Sequence, residues 1–245
     1  MALFSKDGNR LAFRYDAEKL WIEPWGENSL RVRSTKNAEM PGSSEDWALL
    51  PPEAAVPEIT ITEETASMKN GKIELRLTRL GQIHIYNDKG KLLLVEYLRN
   101  RRDMTDHRTF SSLEIEAREF KPIIGGDYEI TLRLESVSPD EKIYGMGQYQ
   151  QPYLNLKGME LELAHRNSQA SVPFAISNMG YGFLWNNPAV GRVCFGRNIT
   201  TWTALSAKKL DYWITAGDNP AEIEEAYAKA TGTVPMMPDY AMGFW

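Results

Sequence analysis

The sequence is dominated by short stretches in which apolar and polar residues alternate. In KIELRLT (residues 72–78), the isoleucine and the two leucines share one face, and the charged residues share the other. This two-residue period is that of a strand buried on one face. Turn signals such as Asn70-Gly71 and Gly125-Gly126-Asp127 separate many such runs, which predicts a mainly β fold, a large antiparallel β-sandwich. The other runs are LAFRY, LWIEPW, SLRVRS, EITIT, QIHIYN, LEIEAREF, DYEITLRLE, VPFAIS, YGFLWN, RVCFG, TWTAL and LDYWITAG.

One segment, DNPAEIEEAYAKATG, has a helical pattern instead. Asn219 is suited to cap a helix, Pro220 to its first position and Glu222 to a capping box, while Gly232 follows as a stop signal. The apolar residues fall on one stripe that must pack on a neighbour. We therefore predict one docked helix near the C-terminus, at about residues 219–231.

Two segments read as irregular. Residues 34–58 are rich in Pro, Ser and acidic residues and are predicted to form a surface excursion. After the helix, the two prolines of TVPMMPDY predict an extended connector, and the apolar residues AMGFW follow it. Such an ending suits either a buried terminal strand of the same domain or the first strand of another one.

Composition narrows the class of protein. The chain has 245 residues, of which 42% are hydrophobic and 25% charged, as in ordinary globular proteins. Its net charge of −5 comes without a basic stripe, which argues against nucleic-acid binding. We find no apolar run long enough to span a membrane and no secretory signal, so we expect a cytoplasmic protein. The single cysteine, Cys194, lies between Val193 and Phe195 and is interpreted as a small core residue.

Catalytic patterns are absent from the sequence. The three histidines, His84, His107 and His165, have no metal-ligand spacing, and no G-x-S-x-G elbow occurs. Gly145-Met146-Gly147 lacks the context of a nucleotide loop, so its glycines are interpreted as permissive backbone at a tight bend. We therefore predict no metal, no cofactor and no catalytic residue in this chain.

Residues 143–188 mix glycines, side-chain amides and aromatic residues. Amides that bind hydroxyl groups and aromatic faces that stack on a pyranose suit sugar recognition. The same mixture is also that of turns and an aromatic sandwich core. Residue types alone leave both interpretations open.

The ordered motifs of this half of the chain resemble a known family. YGMGQ, NLKG, NMGYGFLWNNP, DYWITAGDNP and the final GFW together resemble the N-terminal region of glycoside hydrolase family 31, which includes α-glucosidases and α-xylosidases. The resemblance covers about residues 142–245. It implies a sandwich of galactose-mutarotase-like type over residues 1–237, followed by the start of a (β/α)8 catalytic barrel at residues 238–245.

The resemblance also implies how such a chain acts. A retaining glycosidase needs two carboxyl groups about 5 Å apart, and in this family both belong to the barrel, beyond Trp245. The chain alone is then inactive and works with the barrel of the same polypeptide on an oligosaccharide or glycoside. By position, AHRNSQAS matches the sandwich loop that shapes the substrate pocket, which makes Arg166 and Asn167, then His165, the candidate substrate-binding residues. Its small polar residues predict a loop that is mobile until the barrel orders it.

A β-sandwich also suits two other functions. A standalone carbohydrate-binding module would close its own fold, whereas AMGFW leaves apolar surface unmatched. A mutarotase-like epimerase would need a histidine and a carboxylate in a concave face, which the three scattered histidines do not indicate. Assembly of identical chains into a homo-oligomer is left open by the sequence.

Overall fold

Two antiparallel sheets and one helix form the structure, a computed structural model that describes residues 3–42, 46–52, 54–99 and 115–243. The predicted mainly β sandwich with a docked helix is confirmed. Sheet I has eight strands in the spatial order β1 (Phe4–Asp7), β2 (Arg10–Tyr15), β3 (Glu18–Pro24), β4 (Ser29–Thr35), β18 (Leu210–Ala216), β15 (Tyr181–Trp185), β14 (Ala170–Ser177) and β12 (Ile143–Gln148).

Sheet II has ten strands and packs against sheet I. Its main order is β13 (Glu160–Leu163), β16 (Gly191–Phe195), β17 (Ile199–Ala207), β11 (Tyr128–Glu135), β9 (Leu92–Glu96), β8 (Ile83–Asn87), β7 (Ile73–Thr78), β6 (Thr65–Asn70) and β5 (Glu58–Ile61). β10 (Arg118–Pro122) also pairs with β11. The predicted run LEIEAREF lies partly outside the described residues, and His107 lies entirely outside them.

The core lies between the sheets and is rich in aromatic side chains. Trp202 stacks on Phe183 and on Trp185 with ring centroids 5.1 Å and 5.9 Å apart, and Phe183 stacks on Tyr212 at 4.9 Å. Inward and outward residues alternate along the strands as predicted. This alternation makes the interpretation of Cys194 wrong: because Val193 and Phe195 point into the core, Cys194 points out and is only half-buried.

The helix α1 (Pro220–Thr231) covers part of the outer face of sheet I. Asn219 caps it, with its Oδ1 accepting a hydrogen bond from the Glu222 backbone N–H at 3.0 Å. Tyr227 stacks on Phe174 of β14 at 3.9 Å, and buried Ile223 packs over Gly182 of β15. A Cβ atom at Gly182 would lie 2.5 Å from Ile223 Cγ2, so the close contact between helix and sheet requires a glycine there.

Two irregular segments flank the sheets. The described residues between β4 and β5 form no strand, as predicted, but Met40 and Leu49 are buried, so a purely surface excursion is wrong for them. Leu49 joins the apolar cluster under α1. After α1 the connector is exposed and contains a 3-10 turn at Asp239–Met242. The barrel strand predicted at the end of the sequence stays a prediction, since Phe244 and Trp245 lie outside the described residues.

No helix among the described residues is long and apolar enough to cross a membrane. The cytoplasmic location stays a prediction.

Candidate functional site

A bulge in β12 shapes the edge of sheet I from which the candidate loop extends. Gly145, Met146 and Gly147 all have positive φ angles, of 100°, 71° and 85°. Cβ atoms at the two glycines would lie 2.6 Å from the Phe174 carbonyl oxygen and 2.3 Å from that of Ala170. The register between β12 and β14 shifts at this point. The glycines thus provide backbone freedom at a β-bulge, in line with their interpretation from the sequence.

The candidate loop is a hairpin that crosses from sheet II to sheet I. β13 enters it and β14 leaves it, and Arg166 and Gln169 close its turn by two backbone hydrogen bonds of 3.2 Å and 3.1 Å. Asn167 and Ser168 are the two central residues of the turn, and both are exposed. The mobility predicted for this segment stays a prediction.

The base of the hairpin is fixed by Tyr149. Its hydroxyl donates to the Glu162 carbonyl oxygen at 2.7 Å and accepts from the Ser171 hydroxyl at 2.8 Å. Burial raises the pKa of the Tyr149 phenol, which keeps this donor protonated. Tyr149 therefore joins the two strands of the hairpin behind its exposed turn.

The three predicted substrate-binding residues lie close together but face different surroundings. Arg166 is exposed and forms an ion pair with Glu162, at 2.7 Å from Nε and 2.5 Å from Nη2. His165 accepts a hydrogen bond at Nδ1 from the Ser171 backbone N–H at 3.3 Å, so its neutral ring carries the proton on Nε2. Asn167 is at the tip of the turn. All three side chains are accessible to a ligand.

An apolar groove begins beside this hairpin, and of the three residues only His165 lines it. The groove has a volume of about 710 Å³. Trp47, Val172 and Val190 contribute exposed apolar surface to it, and Tyr227 of α1 lines it as well. Sequence reasoning missed Trp47 because it lies in the irregular segment between β4 and β5. The sequence does contain one signal for it, since Trp47 is a lone tryptophan among prolines, serines and acidic residues.

A fully buried acid, Glu96, lies outside this groove. Glu96 is fully buried between the sheets, where its Oε2 accepts from the Ile83 backbone N–H at 2.9 Å and from Arg118. Arg118 also contacts Glu18, at 2.6 Å from Nε. Burial raises the pKa of Glu96. Glu96 has no exposed surface, and its hydrogen-bond partners Ile83 and Arg118 are protein groups, so Glu96 is a structural feature of the core.

Within residues 3–42, 46–52, 54–99 and 115–243, no three His, Cys, Asp or Glu side chains are grouped as metal ligands.

Comparisons with known proteins identify the family to which this sandwich belongs. Residues 19–193 match the family described as the glycosyl hydrolase 31 N-terminal galactose mutarotase-like domain. An uncharacterized family 31 glucosidase of Pseudescherichia vulneris is 47% identical over 252 residues, which cover 100% of this chain and 47% of that protein. Alpha-xylosidase A of Aspergillus niger is 28% identical, over 98% of this chain and 34% of its own length.

A solved structure agrees with these matches. The family 31 α-xylosidase from a soil metagenome, complexed with xylose, is 54% identical and superposes with a TM-score of 0.92. The match covers 99% of this chain and 36% of that one. The chain thus spans about half the length of the first relative and about a third of the other two. On these grounds, the chain belongs to the family of glycosyl hydrolase 31 N-terminal galactose mutarotase-like domains.

Proposed function

We propose that this chain is the non-catalytic N-terminal part of a retaining α-glycosidase that acts on α-xylosides or α-glucosides. The observation that carries the proposal is the match over the whole chain to relatives two to three times its length, which are named α-xylosidase or glucosidase. The chemistry of double displacement would come from two carboxyl groups in the rest of the polypeptide.

In this proposal the sandwich has two tasks. It supports the catalytic part, and its β13–β14 hairpin supplies Arg166 and Asn167 to the substrate pocket. The hairpin suits that task because its base is fixed by Tyr149 while its turn is exposed. The Arg166 guanidinium and the Asn167 amide are donors to sugar hydroxyl groups, and His165 can donate from Nε2.

The direct test is an activity assay with 4-nitrophenyl α-xyloside and α-glucoside. We expect no turnover by the 245-residue chain and saturable turnover by the full-length polypeptide that carries it, because only the latter would hold both carboxyl groups. Saturable turnover by the repurified chain alone, or no turnover by the full-length protein on either glycoside, would refute the proposal.

A further inference from the structure

Trp47 is displayed on the surface in a strained conformation. Its side chain is 52% exposed and its φ angle is +53°, in the left-handed region that bulky residues rarely occupy. Backbone strain of this kind persists only where the surroundings hold the residue in place, and it is concentrated at functional sites. Strain and exposure together indicate that Trp47 is held in place by its neighbours and is available to contact a partner.

Buried polar groups hold the chain on both sides of Trp47. Asp46 forms an ion pair with Arg31 at 2.5 Å, and Asp211 fixes this fully buried arginine by two hydrogen bonds of 2.9 Å and 2.6 Å. The Asn186 amide donates to the Asp46 carbonyl oxygen at 3.1 Å and accepts from the Ala48 backbone N–H at 3.3 Å. The tryptophan is thus preorganised, as residues that anchor an interface are.

The groove beside Trp47 is open and mostly apolar. Val172 is 38% exposed and Val190 is 53% exposed, and with Trp47 and Tyr227 they form one continuous surface. Exposed apolar patches of this kind mark interaction sites. His165 lines this surface, and Arg166 and Asn167 follow it directly in the hairpin.

The end of α1 lies next to the same surface, since Tyr227 lines the groove and the helix ends at Thr231. The Ala230 carbonyl oxygen, in the last turn of α1, accepts from the Leu50 backbone N–H at 2.7 Å, and Leu50 lies three residues from Trp47. The connector that follows has large exposed apolar residues, with Val234 and Met236 each 94% exposed. The connector therefore begins about one helical turn from the groove.

We infer that the groove around Trp47 is the surface on which the catalytic part of the same polypeptide docks, with Trp47 as its anchor. This inference rests on the proposed function. Docking at this groove would hold the β13–β14 hairpin over the substrate pocket, because His165 lines the groove at the root of that turn. The exit of the chain at one side and the hairpin at the other favour this occupant over a second copy or a free sugar.

The test compares variants of the full-length protein with the same variants of the 245-residue chain. Trp47→Ala and Val190→Glu should each lower the melting temperature of the full-length protein by roughly 4 °C or more. They should leave that of the isolated chain nearly unchanged, since both side chains are exposed there. Ile61→Glu is the matched control: Ile61 is a 40% exposed aliphatic residue on β5 of the other sheet and should alter neither protein.

A crosslinking experiment identifies the occupant. A benzophenone amino acid placed at position 190 of the full-length protein should crosslink to peptides C-terminal to residue 245. Crosslinks only to a second copy, or saturable binding of a xylo- or malto-oligosaccharide by the isolated chain that Trp47→Ala abolishes, would overturn the inference. So would unchanged melting of both variants in a full-length protein that is active on α-xylosides, an outcome that leaves the proposed function standing.

Discussion

Single residues of the hairpin turn give the most direct test of a substrate role. If Asn167 and Arg166 bind substrate hydroxyl groups in the full-length enzyme, Asn167→Ala should lower kcat/KM by about 1 to 3 kcal/mol in transition-state free energy. Arg166→Ala should cost at least as much, because a charged donor forms the stronger hydrogen bond. Steady-state kinetics with an α-xyloside and an α-glucoside, together with thermal melts, measure both effects.

The control for this pair is the other central residue of the turn. Ser168→Ala disturbs the same backbone and should leave kcat/KM near the wild-type value. If all three variants lose activity together with melting temperature, the residues only brace the loop. Unchanged kcat/KM in both Asn167→Ala and Arg166→Ala would remove the hairpin from the pocket.

Glu96 predicts a pH dependence of stability. Its pKa is raised in the folded state by burial, so the folded chain binds this proton more tightly than the unfolded chain does. The associated stability is present below the unfolded pKa of about 4.3 and is lost as the pH rises to the folded pKa. Glu96→Gln, which mimics the protonated acid and leaves Arg118 paired with Glu18, should therefore gain stability relative to wild type as the pH rises from 4 to 8.

Urea unfolding at several pH values measures this difference. Glu119→Gln is the control, since Glu119 is a partly exposed neighbour on β10 whose partner is Arg133. Its stability relative to wild type should change little over the same range. If the Glu96→Gln variant instead loses stability relative to wild type as the pH rises, Glu96 is stabilised as a carboxylate by Arg118.

At the scale of elements, the docking of α1 depends on one missing side chain. Gly182→Ala would place a Cβ atom 2.5 Å from Ile223 Cγ2 and 2.9 Å from Phe174 Cζ, so the packed helix must shift. We expect a loss of about 1 to 3 kcal/mol in the free energy of unfolding. Gly243→Ala should be neutral, because nothing lies within 4 Å of a Cβ atom there.

A double variant separates this clash from other effects of the substitution. Ile223→Ala alone should cost about 2 to 5 kcal/mol as a large-to-small change in a buried site. Ile223→Ala also removes the atom that Gly182→Ala would strike. The loss of stability in the double variant should therefore be smaller than the sum of the two single losses. Full additivity in urea unfolding would mean that Ile223 is not what requires a glycine at position 182.

Elements with local signals could be predicted from the sequence, and those set by distant partners could not. Alternation predicted the strands, and Asn219 with Glu222 predicted the start of α1, since each signal acts within a few residues. The bulge at Gly145 and Gly147 was seen only as permissive backbone, because its cause is the carbonyl oxygens of β14. Burial of Leu49 and display of Trp47 depend on α1 and on Asn186, more than 130 positions away, so no local pattern reports them.

At the scale of the whole molecule, the chain passes repeatedly between the two sheets. β12, β14, β15 and β18 belong to sheet I, while β11, β13, β16 and β17, which are interspersed with them along the sequence, belong to sheet II. Arg118 of sheet II further joins Glu18 of sheet I to Glu96. Neither sheet can separate without exposing the aromatic core around Trp202, so the sandwich should behave as one cooperative unit.

We therefore expect urea to unfold the isolated chain in a single transition. Fluorescence of the seven tryptophans, which include Trp202 and Trp185 in the core, should change at the same midpoint as far-UV circular dichroism, which reports strands of both sheets. α1 is the element most able to depart from this behaviour, because it packs on the outer face and not in the shared core. Gly182→Ala tests that point: it should shift both curves equally if the helix is part of the unit. A separate early step in that variant, or two midpoints in wild type, would divide the molecule into independent parts and contradict the prediction.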